Sequence, residues 1–304
     1  MKKQTVLLVG GNGFLGGWVA AGLAQRGCRV VVPSRHPAAA KWREAVPSAE
    51  FVAADVNQDG ALAALLPGVD AVVNLVGILQ DRDDRAPFGD GFRAAHVGLP
   101  AKIVEAMRAS GCRRLLHVSA LRAADDAPSA YLRSKAAGEA LLLAARDLDV
   151  TIFRPSVIFG ANDAFLNLFA QLLRVFPVLP LAGASARFQP VFAGDVANAL
   201  ADALDRPETF GQIYELAGPR VYTLRALVEY VAALQGRRRW VLPLPAPLAY
   251  LQARLLAFLP NPPMSVDNLR SMQLDNVTEG RHDYPDWEPA ALESVVPHYL
   301  GRRH

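Results

Sequence analysis

The stretch Thr5-Val6-Leu7-Leu8-Val9-Gly10-Gly11-Asn12-Gly13-Phe14-Leu15-Gly16 decides the fold. Its first five residues form the near-continuous apolar run of a strand covered on both faces, and Leu15 to Arg26 carry a helical pattern. Between them Gly10 permits a tight turn, Gly13 lets backbone N–H groups come close to an anion, and Gly16 lets the helix pack closely on the strand. Glycines alone also fit a plain turn. Set between a strand and a helix, Gly10, Gly11, Asn12, Gly13, Phe14, Leu15 and Gly16 are read as a cradle for the pyrophosphate of a dinucleotide.

Outward from this stretch, short apolar runs alternate with amphipathic ones. Arg29 to Val32, Glu50 to Ala53, Ala71 to Leu75, Leu115 to Val118 and Val150 to Phe153 read as strands; Ala61 to Leu66, Arg93 to Ala109 and Ala130 to Arg146 read as helices. This pattern predicts an α/β fold, a doubly wound parallel sheet of the NAD(P)-binding Rossmann type with a smaller C-terminal lobe. Beyond Arg154-Pro155 the alternation loosens: Phe165 to Phe176 reads as helix, Pro177 to Gly183 as loop, Phe188 to Phe192 followed by Asp195 to Leu204 as a return to the sheet, and Ile213 to Leu216 as a last strand. The sheet domain is assigned 1–155 and 187–217; the smaller lobe, 156–186 and 218–304, is expected to close over ligands.

With 52% hydrophobic residues in 304, the chain has ample material for a core. Its 32 basic and 29 acidic residues are spread without long blocks, which argues against a nucleic-acid partner. Cys28 and Cys112 form no C-x-x-C pair and read as small buried thiols in a reducing compartment, and no metal site is read. Lys2 and Lys3 precede an apolar run, but the glycines at 10, 11, 13, 16 and 17 interrupt any signal-peptide core. A cytoplasmic protein is expected.

The second strand should end near the adenosine ribose. There the chain reads Pro33-Ser34-Arg35-His36, with no acidic residue for a free 2′-hydroxyl; Arg35 offers a fork of donors for a 2′-phosphate and Ser34 a hydroxyl. NADP(H) is favoured, NAD(H) stays open, and an ordinary surface arginine is the alternative. Asp55, with Val56, is placed to meet adenine, or else caps the following helix. Asn74 and Gly77 end the fourth strand, where a small residue keeps the backbone close to the cofactor.

Tyr131 and Lys135 stand four apart on one face of a predicted helix. A phenol is a poor base at neutral pH unless a cation favours its ionised form, and Lys135 supplies that cation. Ser119, ending the fifth strand, can hold a reacting carbonyl or hydroxyl while Tyr131 transfers the proton. A solvated tyrosine and lysine on a surface helix is the alternative.

These residues resemble the extended short-chain dehydrogenases/reductases over nearly the whole chain. The glycine loop, Ser119, Tyr131-Leu132-Arg133-Ser134-Lys135 and Arg154-Pro155-Ser156-Val157-Ile158-Phe159-Gly160 stand in family order. The resemblance implies that Pro155 and Ser156 flank the nicotinamide. A narrower resemblance rests on Tyr131 to Glu139, Asp163-Ala164-Phe165-Leu166-Asn167 and Gln189-Pro190-Val191. It is to the atypical branch that includes the NADPH-binding accessory subunit of mitochondrial complex I and its bacterial relatives. That branch implies two functions: an NADP(H)-dependent oxidoreductase or nucleotide-sugar epimerase/dehydratase-like enzyme acting on a carbonyl or alcohol, or a non-catalytic NADPH-holding accessory, assembly or sensor protein. Typical members carry an asparagine that supports a proton-relay water, and His96 stands at the matching position here. His96 relays protons itself, breaks the relay, or is a satisfied histidine with no role.

Trp240 to Pro260 is the most apolar stretch and follows Arg237-Arg238-Arg239. Its prolines leave about twelve residues for a helix, roughly 18 Å, too short to span a bilayer. Leu248, Leu251, Leu255 and Leu259 share a face that is expected to be buried against the smaller lobe, with contact to a membrane surface or a partner subunit through 240–260 as the alternative. No residue pattern names the small-molecule substrate or the oligomeric state.

Overall fold

The structure, a computed structural model, describes residues 3–83, 85–260, 262–280 and 282–301. Lys2 and the outermost residues of the two assigned domains, 1 and 302–304, lie outside them. In chain order the first half runs β1 (Thr5–Val9), α1 (Phe14–Gln25), β2 (Arg29–Ser34), β3 (Glu50–Ala53), α2 (Ala61–Leu65), β4 (Ala71–Asn74), α3 (Asp90–Arg93), a π-helical turn (Ala94–Gly98), α4 (Leu99–Ser110), β5 (Arg114–Val118), α5 (Ala130–Ala144) and β6 (Asp149–Pro155). The second half adds β7 (Ile158–Phe159), α6 (Phe165–Val175), β8 (Val178–Leu181), β9 (Arg187–Phe188), β10 (Val191–Phe192), α7 (Ala193–Ala203), β11 (Gln212–Leu216), β12 (Tyr222–Thr223), α8 (Leu224–Leu234), β13 (Trp240–Pro243), α9 (Ala246–Leu256) and α10 (Val266–Ser271).

Seven parallel strands form the central sheet in the order β11-β6-β5-β4-β1-β2-β3. The chain winds outward from β1 in both directions, so the crevice between β1 and β4 is the switch point at which ligands of such sheets sit. Alternation along the strands sends Val6, Leu8, Val30 and Val32 to the face covered by α1 and α7, and Leu7, Val9, Leu115 and Ile152 to the face covered by α4 and α5. Every residue of β1, β4 and β5 is buried, which is why these strands read as unbroken apolar runs.

The smaller lobe has its own core, built from Leu166, Leu173, Leu227, Val231, Val241 and Val296. Three expectations change here. Pro177 to Gly183, read as a loop, contains β8, which pairs in parallel with β13 from Trp240↔Val178 to Pro243↔Leu181. Leu179 and Leu181 bury alternate positions, and proline is tolerated because a two-stranded ribbon leaves half its backbone groups unpaired. The assignment of all of 218–304 to the smaller lobe is also crossed: Tyr284 belongs to the core of the sheet domain, and Trp287 packs on it and donates to Ala217 O. Finally, Leu248, Leu251, Leu255 and Leu259 are exposed rather than buried. α9 seats on the lobe through Ala249 and Ala253 against Ala182 and Leu269, so the small side chains face inward and the leucines outward.

Candidate active site

β1 ends at the switch point, where Gly10 turns with a φ of +79°. A Cβ there would stand 2.9 Å from Val76 N, so backbone conformation and space both demand glycine. A Cβ on Gly16 would stand 1.8 Å from Gly11 O, the measure of how closely α1 presses on the loop. Gly13 is the N-cap of α1; no side chain caps the helix and its first turn carries no acidic residue. The helix start therefore presents N–H groups and positive dipole to an anion. Asn12 Oδ1 is buried without a hydrogen-bond partner among the described residues, a further sign of a ligand-shaped cradle. Trp42 was not foreseen: its Nε1 donates to Gly11 O at 3.1 Å, and its ring occupies the space beside Gly17, fixing the loop from behind. It comes from an irregular segment between β2 and β3, where no periodicity marks a contact partner.

In the parallel register Leu7↔Val31, Gly10 and Ser34 each stand three residues further on, so the end of β2 is level with the glycine loop. Ser34 is buried and its Oγ accepts from His36 N at 3.1 Å, which holds the turn. Arg35 is exposed and joins no ion pair among the described residues. Asp55 Oδ1 accepts from the backbone and side-chain amides of Asn57 at 3.0 and 3.2 Å. Its alternative reading as a helix cap does not hold, because the N-cap of α2 is Gly60. Val56 packs against the sheet core.

Ser119 follows β5. Its backbone N–H donates to Phe153 O at 2.7 Å, while its Oγ is buried and bonded to no described residue. Lys135 reaches the same strand ends: Nζ donates to Val118 O at 3.1 Å and stands 3.2 Å from where a Cβ on Gly77 would be. Burial pushes its amine down to about 8, with the charge of Glu139 opposing. Tyr131, one turn earlier on α5, lies edge-on to His96 at 5.7 Å and near Phe92, and its hydroxyl bonds no described residue. Burial pushes this phenol well above its ordinary value. Burial is the cause of that rise, and no lowering by Lys135 accompanies it. Of the supporting residues, Asn74 spends its amide on His117 Nδ1 and Val76 N. Ser156 Oγ donates to Asn276 Oδ1 at 2.6 Å, and Pro155 O accepts from Leu121 N. These three shape backbone around the cleft.

His96 lies in the π-helical turn, against which α5 packs so closely that a Cβ on Gly138 would be 2.1 Å from His96 O. Ser134 Oγ donates to Tyr131 O, so at the 2.8 Å contact His96 Nδ1 is the donor; His96 Nε2 accepts from Ile78 N at 3.1 Å. Both ring nitrogens are spent, which removes the alternative in which His96 itself relays protons. Burial, then the charge of Lys135, push its imidazole down to about 3, and burial also holds His117 well below the usual range. Below about pH 6.5 an unfolded histidine takes a proton that these refuse, so stability present above that pH is lost as pH falls toward 3. Between pH 6.5 and 5 His96 alone is expected to cost about 2 kcal/mol, with His117 adding in the same direction. Urea unfolding midpoints at pH 7 and 5 check this; equal midpoints refute it.

The C-terminal part of the chain crosses back over these strand ends. Asp267 of α10 accepts from Ala130 N at 2.8 Å and Tyr131 N at 3.0 Å, so the smaller lobe caps the first turn of the helix that carries Tyr131. Asn276 ties Ser156 and Val157, and Arg122 donates to Asp275 O and pairs with Glu279. Sequence reasoning missed Asp267, since a capping residue 136 positions away leaves no local signal. Among the described residues no group of three or more His, Cys, Asp or Glu is arranged to hold a metal ion. The glycine loop and the uncapped start of α1 fit the pyrophosphate of a dinucleotide.

Comparison with known proteins agrees with this geometry. Residues 6–217 match the NAD dependent epimerase/dehydratase family. The chain is 31% identical to the mitochondrial NADH dehydrogenase (ubiquinone) 1 alpha subcomplex subunit 9 of Arabidopsis thaliana, over 96% of this chain and 74% of that protein. It is 32% identical to the ceramide reductase of Caulobacter vibrioides, over 81% and 75%. Its fold is similar to that of a dTDP-glucose 4,6-dehydratase from Streptomyces venezuelae solved with NAD bound, with a TM-score of 0.66, 24% identity and coverage of 79% and 84%. A match across the sheet domain and relatives above 30% identity along most of the chain establish that this protein belongs to the NAD-dependent epimerase/dehydratase family of extended short-chain dehydrogenases/reductases.

Proposed function

We propose that this protein binds NADP(H) and reduces a carbonyl group held at Ser119. The observation that carries the proposal is the buried Ser119 Oγ, which has no hydrogen-bond partner among the described residues and follows directly on Val118, whose carbonyl Lys135 holds. An unsatisfied buried hydroxyl costs about 1–3 kcal/mol, which a substrate oxygen would offset. Bound NADPH supplies the hydride. Ser119 donates to the carbonyl oxygen, and Tyr131, kept protonated by burial, gives that oxygen its proton as the alcohol forms. A phenol held above its ordinary pKa suits reduction at neutral pH, and the ceramide reductase relative supports that direction over nucleotide-sugar epimerisation or dehydration.

Arg35 supports the preference for NADP(H) over NAD(H): it is exposed, level with the glycine loop and in no ion pair among the described residues. Arg35→Ala is expected to weaken NADPH binding about tenfold or more while NADH binding stays within about twofold. Calorimetric titration with both nucleotides checks this; equal losses, or none, make Arg35 an ordinary surface residue. A second reading, a dinucleotide-holding accessory or sensor protein without turnover, is favoured by His96, whose spent nitrogens leave it unable to relay protons to Tyr131. The complex I subunit relative supports it too. NADPH consumption at enzyme-like rates in a screen of ketones that includes ceramide-type substrates decides for the reductase. Tight NADPH binding with no turnover across that screen decides for the holder.

A further inference from the structure

Beyond the cleft, the largest unexplained feature is the outer surface of the smaller lobe. Leu248, Leu251, Leu255 and Leu259 form one outward face of α9 and its C-terminal turn, with Leu255 61% exposed and Phe258 87% exposed. The β8–β13 ribbon continues this surface: its register sets Trp240, 73% exposed, beside Val178, and Leu242 beside Pro180, all pointing away from the buried Leu179, Val241 and Leu181. Gln252 on the flank of α9 donates to Pro180 O, so helix and ribbon adjoin. Isolated exposed leucines are ordinary, but a continuous apolar face of this size marks a binding surface.

We propose that this face docks the protein onto the surface of an anionic lipid bilayer. Charge names the occupant. Residues 171–181 and 237–260 together carry Arg174, Arg237, Arg238, Arg239 and Arg254 and not one carboxylate, whereas 29 acidic residues in 304 would place about three in those 35 positions. Arg239 donates to Leu173 O, which draws the arginine run against the end of α6, and Arg174, Arg237, Arg238 and Arg254 join no ion pair among the described residues. A rim of one sign around leucine, tryptophan and phenylalanine matches a uniformly negative surface with an apolar layer beneath it. α9 has 11 residues, about 17 Å, so it lies in the interface, and no helix among the described residues is long and apolar enough to cross a membrane.

The test is cosedimentation of the full chain with phosphatidylcholine vesicles and with vesicles containing about 30% phosphatidylglycerol, at low and high salt. Binding at least about tenfold stronger to the anionic vesicles, and weakened by salt, is expected. The double substitution Leu251→Asp and Leu255→Asp should remove it, and Arg237→Glu with Arg238→Glu should weaken it about tenfold or more, both without change in the thermal unfolding midpoint. Absence of binding to either vesicle overturns the proposal. So does self-association that the leucine substitutions abolish without any vesicle binding, which assigns the face to a second copy of the chain. Neither result bears on the reductase assignment.

Discussion

Tyr131→Phe is expected to lower carbonyl-reducing turnover about 1,000-fold while leaving NADPH affinity unchanged. The substitution removes one oxygen and keeps the ring that packs against the stacked pair of Phe92 and His96, so the start of α5 has no reason to move. Asp267 and Ser129 continue to hold the first turn of that helix, because their partners are the backbone amides of Ala130, Tyr131 and Leu132. What is lost is the proton for the alkoxide. Ser119 can stabilise that charge through a hydrogen bond but cannot replenish it through His96, whose two nitrogens are committed to Ser134 and Ile78. The wild-type rate should hold steady through neutral pH, where burial keeps the Tyr131 phenol protonated. Following NADPH absorbance with the first ketone the protein reduces gives the rate, and fluorescence titration gives the affinity. Unchanged turnover in Tyr131→Phe would reject Tyr131 as the proton donor.

Gly16→Ala should have the largest effect on the fold, a loss of more than about 4 kcal/mol that leaves little native protein. The added methyl would meet Gly11 O at 1.8 Å, Gly11 C at 2.4 Å and Gly11 Cα at 2.6 Å, all backbone atoms that no rotamer change can move aside. Relief requires α1 to lift from the loop, which separates Val19 and Leu23 from the sheet face they cover and turns the helix start away from the cleft. Gly13→Ala provides the contrast. Its methyl meets only Gly10 O, at an ordinary 3.6 Å, so the fold should survive within about 1 kcal/mol while the dinucleotide, which must come close to that backbone, is held less well. Thermal unfolding separates the two variants, and wild-type unfolding of Gly16→Ala would show that the close packing of α1 is misjudged.

The sheet strands and the helices of the first half were legible because each buries residues at its own period: two for Val6, Leu8 and Val30 on one face, 3.6 for the helices that cover them. The glycine loop was legible because its constraints are local, a turn at Gly10 and a close approach at Gly16. The second half was harder. β8 hides in a proline-containing segment whose pairing partner, β13, lies 62 residues away, and two strand residues with buried side chains cannot be told from a loop with two anchors. α9 presents an amphipathic pattern that fits burial of its leucines as well as burial of its alanines. Spacing identifies the two faces, but only the neighbour decides which one is covered, and here Ala182 and Leu269 accept the alanine side.

The amino-acid order alone specified a doubly wound parallel sheet, the anion-ready start of α1 and the joint presence of Ser119, Tyr131 and Lys135, because periodicity, glycine freedom and helical spacing act within a few residues of one another. Tertiary packing decided how those groups are charged and connected. Burial keeps the Tyr131 phenol protonated and depresses the Lys135 amine, the Val118 carbonyl rather than the phenol holds that amine, and a hydrogen-bonded cage turns His96 into a structural residue. It also brought Asp267 onto the first turn of α5 and left the leucines of α9 facing outward. Solvation and long-range hydrogen bonding depend on what surrounds a group in space, and residues 136 positions apart acquire that relation only when the chain has folded.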